Sequence, residues 1–247
     1  MATFDFTGYT ANCQRIAEAF KILPDFNSDA VMHLWENGKL FVPHWIGSKF
    51  SRWAINVGAH MAATAVAGYS IGKICQDELK SEGFVINDIV EALLIHDWDK
   101  IISISNTDPD PDIDYPKQVA RFEENAGLYF SEKIIRLACS PGNGMIIISN
   151  QRPLNLAEMI CSYSDFCTSG DQICTYEERM NDLLPHFRPG GRYENWGKLF
   201  QEKYNMSHRQ KCDSLIKPIE KYLAALCGFD NPEFITSIVP KYFLKRI

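Results

Sequence analysis

The sequence is poor in the features that mark several large protein classes. Its eight cysteines include no C-x-x-C pair, the spacing of zinc ribbons and redox motifs. Cys161, Cys167 and Cys174 lie closest together, but gaps of six and seven residues do not suit a zinc knuckle. No apolar run approaches the roughly 18–20 residues of a membrane span. Met1 to Thr10 lacks the basic-then-apolar order of a signal peptide. There is no internal repeat and no low-complexity block, and 15 Gly and 12 Pro without a G-x-y period exclude a collagenous chain. Basic excess is missing too: the formal net charge is −6, which argues against gripping nucleic acid by overall charge alone. These absences lead us to expect a cytoplasmic protein with no membrane partner, its thiols reduced and packed as small hydrophobes.

What is present fits one large domain. The 247 residues, 46% of them hydrophobic, can build a core that needs no disulfide staple. The apolar spacing is mostly helical. It predicts helices over Ala11–Lys21, stopped by Pro24, and from Ser28 or Asp29 to Trp35. Ser51–Lys80 is Ala-rich, nearly free of breakers and apolar on more than one face, which predicts one long buried helix. A further helix capped by Asn87 or Asp88 runs into His96 and Asp97. Thr107–Pro116, with alternating Asp and Pro, reads as a loop, either solvated or a lid. Helical pattern resumes over Lys117–Leu137, Leu154–Thr168 and Gln210–Leu226. Met145–Ile148 fits strand or helix, and Pro185–Gly191 fits a loop. His208 and the tail Lys241–Arg246 read as solvated.

With only six histidines, their positions carry weight. His60 interrupts an apolar helix in W-A-I-N-V-G-A-H-M-A-A. His96 and Asp97 end another in A-L-L-I-H-D-W-D-K. Asp165 interrupts a third in M-I-C-S-Y-S-D-F-C-T-S. Taken singly, each residue is as ordinary as a hydrogen-bonded core histidine or a capping carboxylate. Together they offer two imidazoles and two carboxylates from three helices, a mixed donor set that suits first-row divalent metals. A buried carboxylate is costly to leave unpaired, and a metal is one of few good partners for it.

The order His60 … His96-Asp97 … Asp165 resembles the H … HD … D pattern of the HD-domain metal-dependent phosphohydrolases. L-L-I-H-D-W-D-K is similar to that family's L-L-H-D-x-x-K element, and Y-S-D-F-C-T-S to its A-D-x-x-A-S element. The resemblance implies an all-α HD-domain helical bundle with its core at about residues 42–170 and helical extensions over 1–41 and 171–247. It implies His60, His96, Asp97 and Asp165 as ligands of a divalent transition metal (Mn, Co, Ni, Fe or Zn), with Mg as a further candidate. The implied activity is hydrolysis of a phosphoester of a nucleotide or nucleic acid by a metal-activated water. Asp97 would act in catalysis. Lys100, matching the family's Lys, would neutralise phosphate charge, or else is a surface residue near a helix end. Asp99 would orient the water, or else is a solvated loop residue.

Three branches of the family compare differently. H-W-I … R-W-A-I-N-V-G-A-H resembles a segment of the small 5′-nucleotidases. There Trp45 falls where that branch places a Trp near the substrate, His44 stands for its Arg, and Lys100 stands for its Glu. Arg52, eight residues before His60, is a candidate phosphate contact on the same side of the helix. The HD nucleases, including the CRISPR-associated ones that cut single-stranded DNA, often bind two metals through extra histidines. No His lies between His96 and Asp165 here, so a two-metal site of that kind is not expected unless His33, His44 or the Asp-Pro loop contributes. No motif selects the branch acting on cyclic dinucleotides. A non-catalytic nucleotide-binding module is the reading from outside the enzymes. His186–Arg192 is a further candidate phosphate loop or a plain surface loop.

Overall fold

The computed structural model describes residues 11–37, 44–46, 49–51, 53–98, 115–191 and 193–245. The architecture is all-α, with two short hairpins among the helices. Helices α1 (Ala11–Ile22) and α2 (Ser28–Asn37) precede a hairpin of β1 (His44–Ile46) and β2 (Lys49–Ser51). Then come α3 (Trp53–Ile74), α4 (Gln76–Ser81) and α5 (Ile86–Ile95). Beyond residue 114 follow α6 (Tyr115–Ala126), α7 (Glu132–Ala138), α8 (Asn143–Ser149) and α9 (Leu156–Phe166). A second hairpin, β3 (Thr168–Ser169) and β4 (Gln172–Ile173), leads to α10 (Tyr176–Leu183), α11 (Glu194–Tyr204), α12 (His208–Leu226) and α13 (Ile235–Ile238).

The core is built around α3. Its residues from Val57 to Ala67 are buried on every side, and α1, α5 and α9 pack against it. This is what an Ala-rich segment with apolar residues all round dictates: small side chains let several helices approach one axis. Gly68 is the closest point. A Cβ there would lie 2.3 Å from Leu93 Cδ1 and 3.1 Å from Ile89 Cγ2, so glycine is what permits the α3–α5 contact. Trp35 Nε1 donates to the Leu94 carbonyl at 2.6 Å, which satisfies the buried indole and ties α2 to α5.

Several local expectations need correction. The segment expected as one helix over 51–80 is two, because the backbone leaves helical geometry at Cys75 before α4 begins. Lys117–Leu137 likewise splits into α6 and α7. Gly127 and the residues after it turn the chain, and Ser131 caps the new start by accepting from Ile134 N. Met145–Ile148 resolves as helix. The cap of α5 comes from Asp88 inside its first turn, which accepts from Val85 N at 2.8 Å, rather than from a residue preceding it. For α2 the capping side chain is Asn27, one residue before the expected Ser28, accepting from Ala30 N at 3.3 Å. Pro185–Gly191 contains a 3-10 turn over Leu184–Phe187.

The tail also departs from its solvated reading. Leu244 forms a parallel bridge with Ile173 of β4, Lys245 N donates to the Ile173 carbonyl at 2.8 Å, and Lys245 Nζ pairs with Asp182 at 2.7 Å. Among the described residues, no helix is long and apolar enough to cross a membrane.

Candidate metal centre

Four side chains distant in sequence converge where α3, α5 and α9 meet. His60 projects from α3. His96 is the residue after α5, Asp97 follows it, and Asp165 lies in the last turn of α9. His60 Nε2 is 3.0 Å from Asp165 Oδ1 and 3.8 Å from Asp97 Oδ2. His96 Nε2 is 3.7 Å from Asp165 Oδ1 and 3.8 Å from Asp97 Oδ2. Donor atoms of His60, His96 and Asp97 all lie within 4.8 Å of one another.

Hydrogen bonding decides what the imidazoles present to the centre. Nδ1 of His60 is 2.9 Å from the Gly170 carbonyl, and Nδ1 of His96 is 2.7 Å from the Leu93 carbonyl. A carbonyl only accepts, so both Nδ1 atoms carry the proton and donate. Both Nε2 atoms face carboxylate oxygens, with His60 Nε2 at hydrogen-bonding distance from Asp165 Oδ1. Each Nε2 can meet those oxygens by carrying a second proton and donating it, or by giving its lone pair to a cation held between them. Among the described residues, Nε2 of His96 is buried and has no hydrogen-bond partner. Pinning one ring nitrogen on a backbone carbonyl is how metal-binding histidines are commonly oriented.

The helices add to the field. The C-terminal ends of α5 and α9 both point here, and a helix C-terminus disfavours an anion and favours a cation. Asp165 therefore sits where its charge needs a positive partner. Burial acts to raise its carboxyl, but the facing imidazoles of His60 and His96 outweigh burial and hold it well below the usual carboxylate range. For His96, burial acts to lower the imidazole, and the Asp97 and Asp165 carboxylates overcome it, so the net shift is upward. These shifts favour protonated imidazoles against the two carboxylates, and one divalent cation would take the place of those protons.

The spacing suits such an ion. Ligand atoms about 2.1 Å from a common centre are separated by about 3.0 Å at right angles and about 3.4 Å at tetrahedral angles. Of the four distances above, one is 3.0 Å and the others, 3.7 to 3.8 Å, lie a few tenths of an ångström beyond the tetrahedral value, so small side-chain shifts would close the set on an ion. The imidazoles are nearly closed off, with side chains 8% and 2% exposed, while Asp97 and Asp165 keep 20% and 19%. Approach from outside is therefore on the carboxylate side.

The remaining candidates fare differently. Arg52, Asp99 and Lys100, together with Asp108 to Asp114 of the Asp-Pro loop, lie outside the described residues. Trp45 belongs to β1, and its side chain lies outside them as well. His33 is exposed and packs against the Tyr129 ring at 4.9 Å. His186 is also exposed.

Sequence reasoning missed the hairpin that supports His60. Gly170 has φ +60°, a conformation glycine adopts without strain, and its carbonyl fixes the His60 ring. The turn is braced on both sides. Ser169 Oγ donates to Asp182 at 2.6 Å, and Arg15 of α1 pairs with Asp171 at 3.3 Å. The same Arg15 donates to the Tyr242 carbonyl and lies over the Tyr242 ring. The signal available in the sequence was the Gly170-Asp171 dipeptide a few residues after a helix, a turn signature.

No protein-family description, curated protein or solved structure matches the chain.

Proposed function

We propose that the chain is a divalent-metal-dependent phosphohydrolase that cleaves a phosphoester of a nucleotide or of single-stranded nucleic acid. One observation carries this reading: two imidazoles with Nδ1 tied to backbone carbonyls turn their Nε2 atoms onto two carboxylates in a largely buried centre. His60, His96, Asp97 and Asp165 would hold the ion, which when bound supplies Lewis acidity and makes hydroxide available near neutral pH. Manganese, cobalt, nickel, iron and zinc all suit two nitrogens and two oxygens, and magnesium suits the oxygens.

The chain's own residues do the rest. The Gly170 and Leu93 carbonyls keep each imidazole in one tautomer and one orientation, so no reorganisation is needed when substrate arrives. Asp97, on the open side, accepts the proton of the attacking water. Asp99 and Lys100 keep their sequence-derived roles, orienting that water and neutralising phosphate charge. Arg52 and Trp45 are assigned to substrate contact on the same footing. Buried thiols such as Cys161, Cys167 and Cys212 suit a reducing, cytoplasmic setting.

The test is hydrolysis of nucleoside 5′-monophosphates, bis(p-nitrophenyl) phosphate and labelled single-stranded DNA, each with Mn²⁺, Co²⁺ and Ni²⁺. We expect metal-dependent turnover of at least one substrate class, lowered about 100-fold or more in Asp97→Ala. Which substrate is cleaved separates a phosphomonoesterase from a nuclease. Absence of metal-dependent turnover on all three, or full activity in Asp97→Ala, overturns the reading in favour of a binding module.

A further inference from the structure

Two of the longest helices end side by side, each followed by a cysteine. Cys75 succeeds α3 and Cys227 succeeds α12. Their sulphurs are 3.7 Å apart, although the residues are separated by 152 positions. A disulfide is about 2.05 Å long, so closing one requires the sulphurs to approach by about 1.7 Å. Both residues stand where the chain can yield: Cys75 has φ −93° and ψ 23°, Cys227 has φ −80° and ψ 0°, and each marks the end of helical geometry. Gly228, with φ +80°, follows directly.

The two thiols are not equivalent. Cys75 is buried, at 1% exposure, while Cys227 is half-buried and within reach of small solutes. Only one hydrogen fits between the sulphurs. Either sulphur can donate it, so exposure separates the roles: Cys227 is the accessible nucleophile and Cys75 the protected resolving thiol.

We propose that Cys75 and Cys227 form a reversible disulfide lock closed by hydroperoxides. The Cys227 thiolate attacks the peroxide, the O–O bond breaks, Cys227 becomes a sulfenic acid and hydroxide leaves. The Cys75 thiolate, its proton passed to water, then attacks the Cys227 sulphur. The S–S bond forms as the S–O bond breaks, and hydroxide leaves to be protonated. In sum two thiols lose two electrons and two protons, and one hydrogen peroxide becomes two waters. A dithiol reductant reopens the bond by exchange. The lock joins α3, which carries His60, to α12 and closes a loop of about 150 residues. A cross-link that long strongly restricts the unfolded chain.

The experiment treats the intact chain with near-stoichiometric hydrogen peroxide, alkylates free thiols and maps peptides without reduction. The expected result is a Cys75–Cys227 peptide two hydrogens lighter than the reduced pair, with Tm raised by about 5 °C or more, both reversed by dithiothreitol. In Cys75→Ser, dimedone should trap Cys227 as a sulfenic acid with no rise in Tm. In Cys227→Ser, Cys75 should stay reduced and the rise should again be lost. Persistence of both thiols in oxidised wild type, pairing of Cys227 with another cysteine, or its passage to sulfinic acid without an S–S bond would each overturn the proposal. None of these readouts depends on metal or phosphoester turnover, so the lock stands or falls apart from the hydrolase reading.

Discussion

His208 shows how one residue can tie stability to pH. Its ring stacks on Phe187 with centroids 3.9 Å apart and meets Phe200 edge-on at 4.9 Å, with Cys212 Sγ 3.5 Å from Nε2. Burial among these rings lowers the imidazole to about 4. The folded pKa is thus below the unfolded value near 6.5, and between about pH 6.5 and 4 the unfolded chain binds more protons. The neutral ring contributes stability in full above pH 6.5, and that contribution is lost as pH falls toward 4. The expected loss is on the order of 2 kcal/mol. Thermal melts of wild type and His208→Phe from pH 7 to 4.5 check this: the wild type should fall more steeply, and parallel curves would refute it. The sequence reading of His208 as solvated missed its partial burial against the two rings, which nothing local announces. The aromatic pair comes from the 3-10 turn and α11, two elements its own helix does not contain. His60, His96, Asp97 and Asp165, by contrast, were legible because each breaks a long apolar run, and a polar interruption in such a run demands a partner. What the sequence could not show was the partner of each Nδ1. Those partners are backbone carbonyls, and backbone carbonyls leave no mark on residue identity.

At the scale of elements, the approach of α3 to α5 sets the site, because it brings His60 beside His96. Gly68 governs that approach. Gly68→Val would drive its branched side chain into Leu93 and Ile89, both fully buried. Overpacking of this kind costs about 1–3 kcal/mol, against which valine recovers only a few tenths in helix propensity. We expect Tm to fall by about 5 °C, measured by calorimetry. An unchanged Tm would mean that the helices are not in contact there. Most of the long helices were readable from apolar period, while α10, α11 and α13 were not expected, the caps of α2 and α5 were misplaced and the breaks were not seen. Cys75 and Gly127 interrupt helices without a proline, and the reason for each break is tertiary: α3 ends where α4 must turn to bury Leu79, and α7 must turn to pack on α5. The two hairpins were equally hidden, since strands of two or three residues are too short to show alternation.

For the whole molecule, the terminal segments brace the centre instead of hanging from it. Arg15 near the start and Tyr242 to Lys245 near the end grip the β3–β4 turn whose Gly170 carbonyl holds His60. A chain of net charge −6 concentrates two of its negative charges at one half-buried point, where two helix C-termini deepen the potential. Two carboxylates beside two carbonyl-anchored imidazoles are a donor set that a divalent cation would fit. The most direct measurement is therefore the number of Mn²⁺ or Ni²⁺ ions bound per chain at equilibrium, taken alongside circular dichroism. Wild type should bind one ion per chain, and His96→Ala/Asp165→Ala should bind none while remaining helical. A wild-type chain that binds no divalent metal at millimolar concentration, or a folded double variant that binds as tightly as wild type, would contradict the account.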